Sequence, residues 1–338
     1  MSNGTILVTG CAGLFGTNIS RYLTSSGHKV VGIDDLSGGY KEYIDPKLAW
    51  FQEGSLTELK NLESVFKGFK PDYVIHTAAM AAVCLSPFMR SNTYTNNLIG
   101  YSNLLNCSLN HGVKRFVHFS TMDVYGKNQT PFLEDMTPMP EEPYGISKYA
   151  IELDLKSAHE QFGLNYNIVR PHNVCGMYQN IWDRYRNVLG IWVRKCLNRE
   201  PITVYGDGSQ IRAFSDVKYY MTPIGRLTFD ETINQQTYNI GADGSTTIFE
   251  AAKITQKVAA KFGYNSEIVH LEPRNEVKEA FPNHDKAKRD LEFVDNTDLE
   301  LMIIELFWWA LHEPNREVKY ADYEVSKGLY SYWRKSND

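Results

Sequence analysis

Cysteine is scarce and unpatterned in this chain of 338 residues: Cys11, Cys84, Cys107, Cys175 and Cys196 are odd in number and include no CxxC pair. That spacing suggests neither a disulfide framework nor a zinc site, so no metal is expected, and a reducing, cytoplasmic location fits it. Positive charge is not in excess either. With 35 Lys+Arg against 40 Asp+Glu, the formal net charge is -5, which gives no general reason to expect nucleic acid or an anionic membrane and still leaves room for a local basic pocket facing phosphates. No long apolar run is present: the most apolar stretch, Leu301 to Leu311, is interrupted by Glu305 and is too short to span a bilayer. Thr297 and Glu300 read as a capping box that opens an ordinary buried helix there. The opening residues, MSNGTILVTG, lack a basic region followed by an apolar signal stretch and enter a strand within five positions. Tandem repeats and low-complexity segments are also missing, which sets aside fibrous and disordered classes. What remains, with 43% hydrophobic and 22% charged residues, is the composition of a globular protein that acts on small molecules and is long enough for two lobes.

The first half alternates strands with helices, which requires crossover connections and predicts a parallel sheet covered on both faces. Strands are expected at Thr5 to Thr9, Lys29 to Ile33, Tyr73 to His76, Arg115 to Phe119 and Asn165 to Val169. From Asn92 to His111 the apolar residues Tyr94, Leu98, Tyr101, Leu105 and Leu109 recur at helical spacing, with Gly112 as a stop. A second long helix runs from about Tyr144 to Phe162 and ends at Gly163. After Arg170 the alternation fades into turn-rich stretches such as Gly206 to Ser209 and Gly241 to Ser245, where a smaller lobe is expected to begin.

Two constellations carry chemistry. TGCAGLFG puts Gly10, Gly13 and Gly16 between an apolar strand and a helix, so backbone amides can approach a pyrophosphate at the helix N-terminus. The next strand ends in Asp34, whose carboxylate can accept hydrogen bonds from the adenine ribose hydroxyls and repel the extra phosphate of NADP, which points to NAD; a strand-end turn residue is the alternative. YGISK supplies Tyr144 and Lys148, four apart and on one helix face, where an ammonium can favour the phenolate. The same spacing recurs at Tyr43/Lys47 and Tyr323/Lys327, but neither pair follows a strand that ends in hydroxyl residues. Tyr144 does follow one, since RFVHF leads into Ser120 and Thr121 at a strand's C-terminal end. An exposed helix face is the alternative for Tyr144 and Lys148.

With these motifs in order, the chain resembles the extended short-chain dehydrogenases/reductases, in the branch of UDP-galactose 4-epimerase-like nucleotide-sugar epimerases and dehydratases. The resemblance covers nearly the whole chain. It implies a Rossmann-type doubly wound parallel sheet over residues 1–172, with later returns near 213–242 and 283–300, and a smaller mixed α/β substrate lobe and tail over 173–338. It implies bound NAD held by Gly10, Gly13, Leu14, Phe15, Gly16, Asp34, Ser55, Leu56, Ala78, Ala79, Asn97, Ser120, Tyr144, Lys148 and Pro171. Asn173, Asn187, Val188, Thr203, Tyr205, Arg212 and Arg274 match positions that contact the nucleotide diphosphate, the two arginines suiting phosphate oxygens through their planar fork. Phe281 matches a position bordering the sugar, with plain core packing as its alternative. Thr121, Tyr144 and Lys148 match the catalytic trio, and Asp123 is a candidate proton-transferring group at C5 or a turn aspartate bonding the local backbone. The implied reaction is 4-epimerisation through a transient 4-keto sugar with NAD recycled. A 4,6-dehydratase, other C5 chemistry or a net 4-dehydrogenase begins with the same step. The two long helices are similar to those that form a four-helix bundle between subunits, so a homodimer is expected. Ser55 stands where the family usually has an aspartate, Met177 where it has proline, and Lys218 and Tyr219 where it has paired acids.

Overall fold

In a computed structural model describing residues 4–273, 277–318, 321–330 and 333, seven strands form one parallel sheet. They are β1 (Thr5–Thr9), β2 (Lys29–Asp34), β3 (Trp50–Glu53), β4 (Tyr73–His76), β5 (Arg115–Phe119), β6 (Tyr166–Pro171) and the edge strand Gln236–Ile240. Their order is β3-β2-β1-β4-β5-β6 followed by the edge strand. β1 pairs with β2 on one side and β4 on the other, with Thr9 opposite both Ile33 and His76. The chain reverses its direction of sheet growth there, and ligand crevices of doubly wound sheets open outside the carboxyl ends of the strands at such a point.

The central strands are buried on both faces, so their sequences are continuous apolar runs rather than alternating ones. Leu7, Val31, Val74 and Phe116 point into one layer of helices, while Ile6, Val8, Val117 and Val169 point into the other. The second layer includes Ile224 and Leu227 of the helix Met221–Phe229 and Ala287 and Leu291 of Asp285–Leu291. The edge strand and β3 lacked a clear signal in the sequence because both are short and only partly covered.

A separate core is built from the helices Val188–Leu197, Ile248–Lys261 and Leu299–Leu311, with Trp192 fully buried and Phe307 stacked on Phe262 at 4.9 Å between ring centroids. Small sheets flank it: Ile202–Tyr205 runs parallel to Ile268–Leu271, and Ile211–Ala213 lies between Ser245–Thr247 and Glu279–Ala280.

The expected capping box at Thr297 and Glu300 is replaced by a cap one residue later. Asp298 accepts from Leu301 N at 2.9 Å, and Glu300 turns instead to Lys257 and Lys261 at 2.8 and 2.6 Å. The expected helix Asn92 to His111 also differs: Arg90–Tyr94 and Gly100–Asn110 are α-helical, but Thr95–Ile99 is a π-turn. Such a widened turn re-aims side chains, and it directs Asn97 inward. The second long helix, Pro143–Phe162, ends at Gly163 with φ 71°, a left-handed cap that favours glycine. Among the described residues, no helix is long and apolar enough to cross a membrane.

Candidate active site

A cavity of about 1640 Å³ opens along the carboxyl ends of β1, β2, β4 and β5 and continues between the sheet and the second core. Its floor begins at the turn from β1 into the helix α1 (Leu14–Ser25). Gly10 has φ +69°, and a Cβ there would lie 2.8 Å from the backbone of Ala78, so a side chain is excluded twice over. Gly13 is the N-cap of α1 and contributes no side-chain hydrogen bond; its own amide donates to Gly10 O at 3.0 Å, which leaves the first-turn amides of Leu14 and Phe15 available in the cavity wall. Gly16 acts differently. It does not line the cavity, and a Cβ there would stand 2.0 Å from Gly10 O, so its absence lets α1 pack close to the turn.

Asp34 closes this end. Its carboxylate accepts from Ala12 N at 2.9 Å and Leu36 N at 2.8 Å. Burial raises its pKa; the two amides and the more distant Arg186 guanidinium oppose that rise. Arg186, ion-paired with Asp183 at 3.0 Å, reaches over Gly38, where an added Cβ would come 2.6 Å from its Nη2. The spacing of motifs gave no hint of this arginine, because the two segments lie far apart in sequence and share no periodicity. Ser55, Leu56, Ala78, Ala79 and Pro171 also line the cavity.

At the far end of β5, Thr121, Asp123 and Tyr144 come together. Thr121 Oγ1 donates to Asp123 Oδ2 at 2.6 Å and accepts from Asp123 N at 3.2 Å, so the aspartate both closes the local turn and faces the cavity. Tyr144 is buried, and it lines the cavity together with Thr121. Burial, then the carboxylates of Asp123 and Glu142, hold the phenol well above its usual pKa, while the Thr121 hydroxyl and Arg186 pull the other way. Glu142 caps the helix that carries Tyr144, and burial followed by Asp123 pushes its pKa up to about 7. Nothing in the sequence motif marks it, since position 142 reads as one of two surface acids before a proline.

Lys148 corrects an expectation. Its ammonium does not face the phenol but donates to Phe119 O at 2.7 Å, outside the cavity wall, and burial lowers its pKa to about 7 against the opposing pull of Glu152. Arg186 rather than Lys148 is the cation that lowers the Tyr144 pKa in this arrangement. Ser120 also turns inward, donating to Glu152, which holds Arg170 through two bonds of 3.0 and 2.6 Å. Asn97 likewise lies behind the wall, where it accepts from Met80 N at 2.8 Å and donates to Ser147 Oγ at 3.0 Å, bracing the loop after Ala79 against the helix of Tyr144. These polar groups stand one layer behind the cavity and are paired with one another or with backbone, except for Arg170 Nη1, which is buried and makes no hydrogen bond.

The opposite wall comes from the second half of the chain. Asn173 (φ 40°), Asn187, Val188, Thr203, Tyr205 and Arg212 all line it. Asn187 caps the helix Val188–Leu197 by accepting from Leu189 N, and Arg212 donates to Val277 O at 2.7 Å. Arg274 lies outside the described residues. Phe281 is not in the wall: its carbonyl accepts from Phe132 N, and Ala280 occupies the lining there. Tyr323, set aside in the sequence for want of a preceding hydroxyl-bearing strand, does reach the cavity. Its hydroxyl meets those of Tyr185 and the Arg184 guanidinium, and Glu324 next to it accepts from Ser91 N and Asn92 N at 2.7 and 2.8 Å. Among the described residues no group of three or more His, Cys, Asp or Glu side chains is arranged to hold a metal.

A doubly wound sheet with a glycine-lined amide cradle, an acid at the end of β2 and a hydroxyl pair at the end of β5 defines a dinucleotide-dependent enzyme. Residues 6–241 match the family described as "NAD dependent epimerase/dehydratase family", and the chain belongs to it, with NAD as its cofactor. The crystal structure of the UDP-glucose 4-epimerase of Thermotoga maritima with UDP-glucose superposes with a TM-score of 0.85 at 30% identity, over 91% of this chain and 98% of that one. The Thermus thermophilus UDP-glucose 4-epimerase in complex with NAD gives 0.84 at 25% identity, over 91% and 99%. The bifunctional protein GAL10 of Kluyveromyces lactis is 27% identical over 91% of this chain, which spans about half, 48%, of that relative. The cradle fits NAD on its own terms: uncapped amides suit a pyrophosphate, and a carboxylate at Asp34 disfavours a 2′-phosphate.

Proposed function

We propose that this chain is a nucleotide-sugar epimerase, acting at C4 of the sugar through a transient 4-keto intermediate. The observation that carries the reading is the meeting of Thr121 and Tyr144 at one end of a cavity whose other end is the glycine turn at Gly10 and Gly13 with the first-turn amides of Leu14 and Phe15. When bound, NAD supplies reversible two-electron oxidation at the sugar carbon. The cradle would hold its pyrophosphate, Asp34 its adenine ribose, and Ser55 and Leu56 the adenine side. Ala78, Ala79 and Pro171 would stand on the nicotinamide side, with Lys148 one layer behind them on Phe119 O. Tyr144 removes the proton of the 4-hydroxyl and returns it on reduction, and Thr121 orients the oxygen. Asn173, Asn187, Thr203, Tyr205 and Arg212 would bind the nucleotide diphosphate, with Arg274 as its second arginine. Concentrating affinity on the nucleotide leaves the sugar free to turn over between the two half-reactions.

The experiment is incubation of the NAD-loaded protein with UDP-glucose, UDP-galactose and GDP-sugars, followed by proton NMR of the products. A C4 epimer is expected, and a product lacking the C6 hydroxyl would refute epimerisation. A second reading, 4,6-dehydration or other C5 chemistry, is favoured by the side chain of Asp123, which faces the cavity as well as its own turn. Asp123→Asn separates the two, since it should abolish dehydration while epimerisation persists, with its pH dependence moved.

We further infer a homodimer across the helices Gly100–Asn110 and Pro143–Phe162. Support comes from large apolar side chains left in solvent on or beside them: Ile99 is 54%, Leu153 53% and Ile146 38% exposed. Sedimentation velocity at micromolar concentration should give a dimer, and Leu153→Glu should give a monomer; a wild-type monomer would overturn the inference.

A further inference from the structure

We propose that Glu142 is a positioning residue for Tyr144: with Asp123 it makes a two-carboxylate frame around the phenol, whose protonation state sets how readily Tyr144 gives up its proton. The proposal rests on the reading of Tyr144 as the proton-transferring group.

Helix N-caps are usually short side chains such as Ser, Thr, Asp or Asn. A glutamate does the same work here while its longer side chain also reaches the cavity. Glu142 Oε2 accepts from Tyr144 N at 2.8 Å and from Ser86 Oγ at 2.6 Å, and Oε1 accepts from Gly145 N at 2.8 Å. The carboxylate is thus tied to the backbone of the very residue whose phenol feels its charge, and both side chains line the same cavity. A Cβ on Gly145 would stand 2.9 Å from both Glu142 Oε1 and Asp123 O, so the missing side chain is what lets the two acidic segments approach. Asp123 faces Glu142 from the turn after β5, Tyr144 shares its helix, and Glu141 beside it is held by Lys127 at 3.4 Å. From the second half of the chain, Arg186 acts on Tyr144 and Arg212 on Asp123.

The sign follows from charge alone. Glu142 takes its proton from solvent in the cavity and returns it there, with no other bond changed. While it is protonated, one negative charge is missing beside the phenol and Tyr144 ionises more easily. As pH rises through its value near 7, the phenolate becomes harder to form. A group with this effect tunes the acid–base partner instead of transferring the substrate proton itself.

The test is ¹³C NMR of protein labelled at glutamate Cδ and tyrosine Cζ, with and without saturating NAD, the resonances being assigned by their loss in Glu142→Gln and Tyr144→Phe. Glu142 should titrate near neutrality, and in Asp123→Asn it should fall toward the ordinary carboxylate range. Tyr144 should ionise roughly one pH unit lower in Glu142→Gln and in Asp123→Asn than in the wild type. The second variant leaves the helix cap untouched and carries the test if the first folds poorly. A Glu142 resonance that titrates with the exposed glutamates, or a Tyr144 titration unmoved in both variants, overturns the proposal. If that occurs while Tyr144→Phe is inactive, the proposal alone fails; full turnover by Tyr144→Phe removes the reading beneath it.

Discussion

Tyr144→Phe is expected to lower turnover by ~10²–10⁴-fold, the usual contribution of a positioned proton-transfer group, while leaving fold and NAD affinity in place. Only one oxygen is lost. The ring stays packed in its buried position, and Thr121 keeps its 2.6 Å bond to Asp123. The burial that raises the phenol pKa also makes the free protein reluctant to form a phenolate, and a positive nicotinamide ring bound nearby would offset Asp123 and Glu142 and favour ionisation in the loaded state. Product NMR for rate and calorimetry for NAD binding separate the two readouts. A variant that turns over at the wild-type rate, or one that loses NAD binding along with activity, would count against the assignment.

Arg170→Leu should be the most destabilising single change behind the site, by about 3–5 kcal/mol. Both Arg170 and Glu152 have side chains only 5% exposed, and removal of the guanidinium strands a carboxylate in the interior. Glu152 also accepts from Ser120 and acts on Lys148, and Arg170 lies 4.7 Å over the Tyr125 ring, so the loss spreads through the helix of Tyr144, β5 and β6. Urea unfolding followed by tryptophan fluorescence would measure it. The double variant Glu152→Met/Arg170→Leu should be milder than the single one, because no charge is left unpaired. An Arg170→Leu midpoint equal to the wild type would contradict this reading of the pair.

Much of the fold was legible because it depends on local pattern. β1, β4 and β5 coincide with the apolar runs at Thr5, Tyr73 and Arg115, and the glycines at 10, 13 and 16 announce the turn that follows β1. That Thr121 and Tyr144 would meet was legible because one stands at the carboxyl end of a strand and the other at the start of the helix that follows, and both line the cavity. The capping box was misread because Thr297 and Asp298 are both good caps one position apart, and only tertiary partners decide: Glu300 is drawn to Lys257 and Lys261. The direction of Lys148 depends on the carbonyl of Phe119, and that of Ser120 on Glu152, partners that helical spacing does not supply. Glu142, Arg186 and Tyr323 were missed for a related reason. Each reaches the cavity through contacts with segments distant in sequence, such as Ser86, Gly38 and Tyr185, and such contacts leave no periodic trace.

The most direct measurement follows the hydrogen on C4. UDP-galactose deuterated at that carbon should yield an epimer that keeps the label on C4, because the same hydrogen leaves and returns within one closed cavity while Tyr144 handles only the hydroxyl proton. Deuterium found at C6, or released to water, would contradict a 4-epimerase and transfer the weight to chemistry at C5.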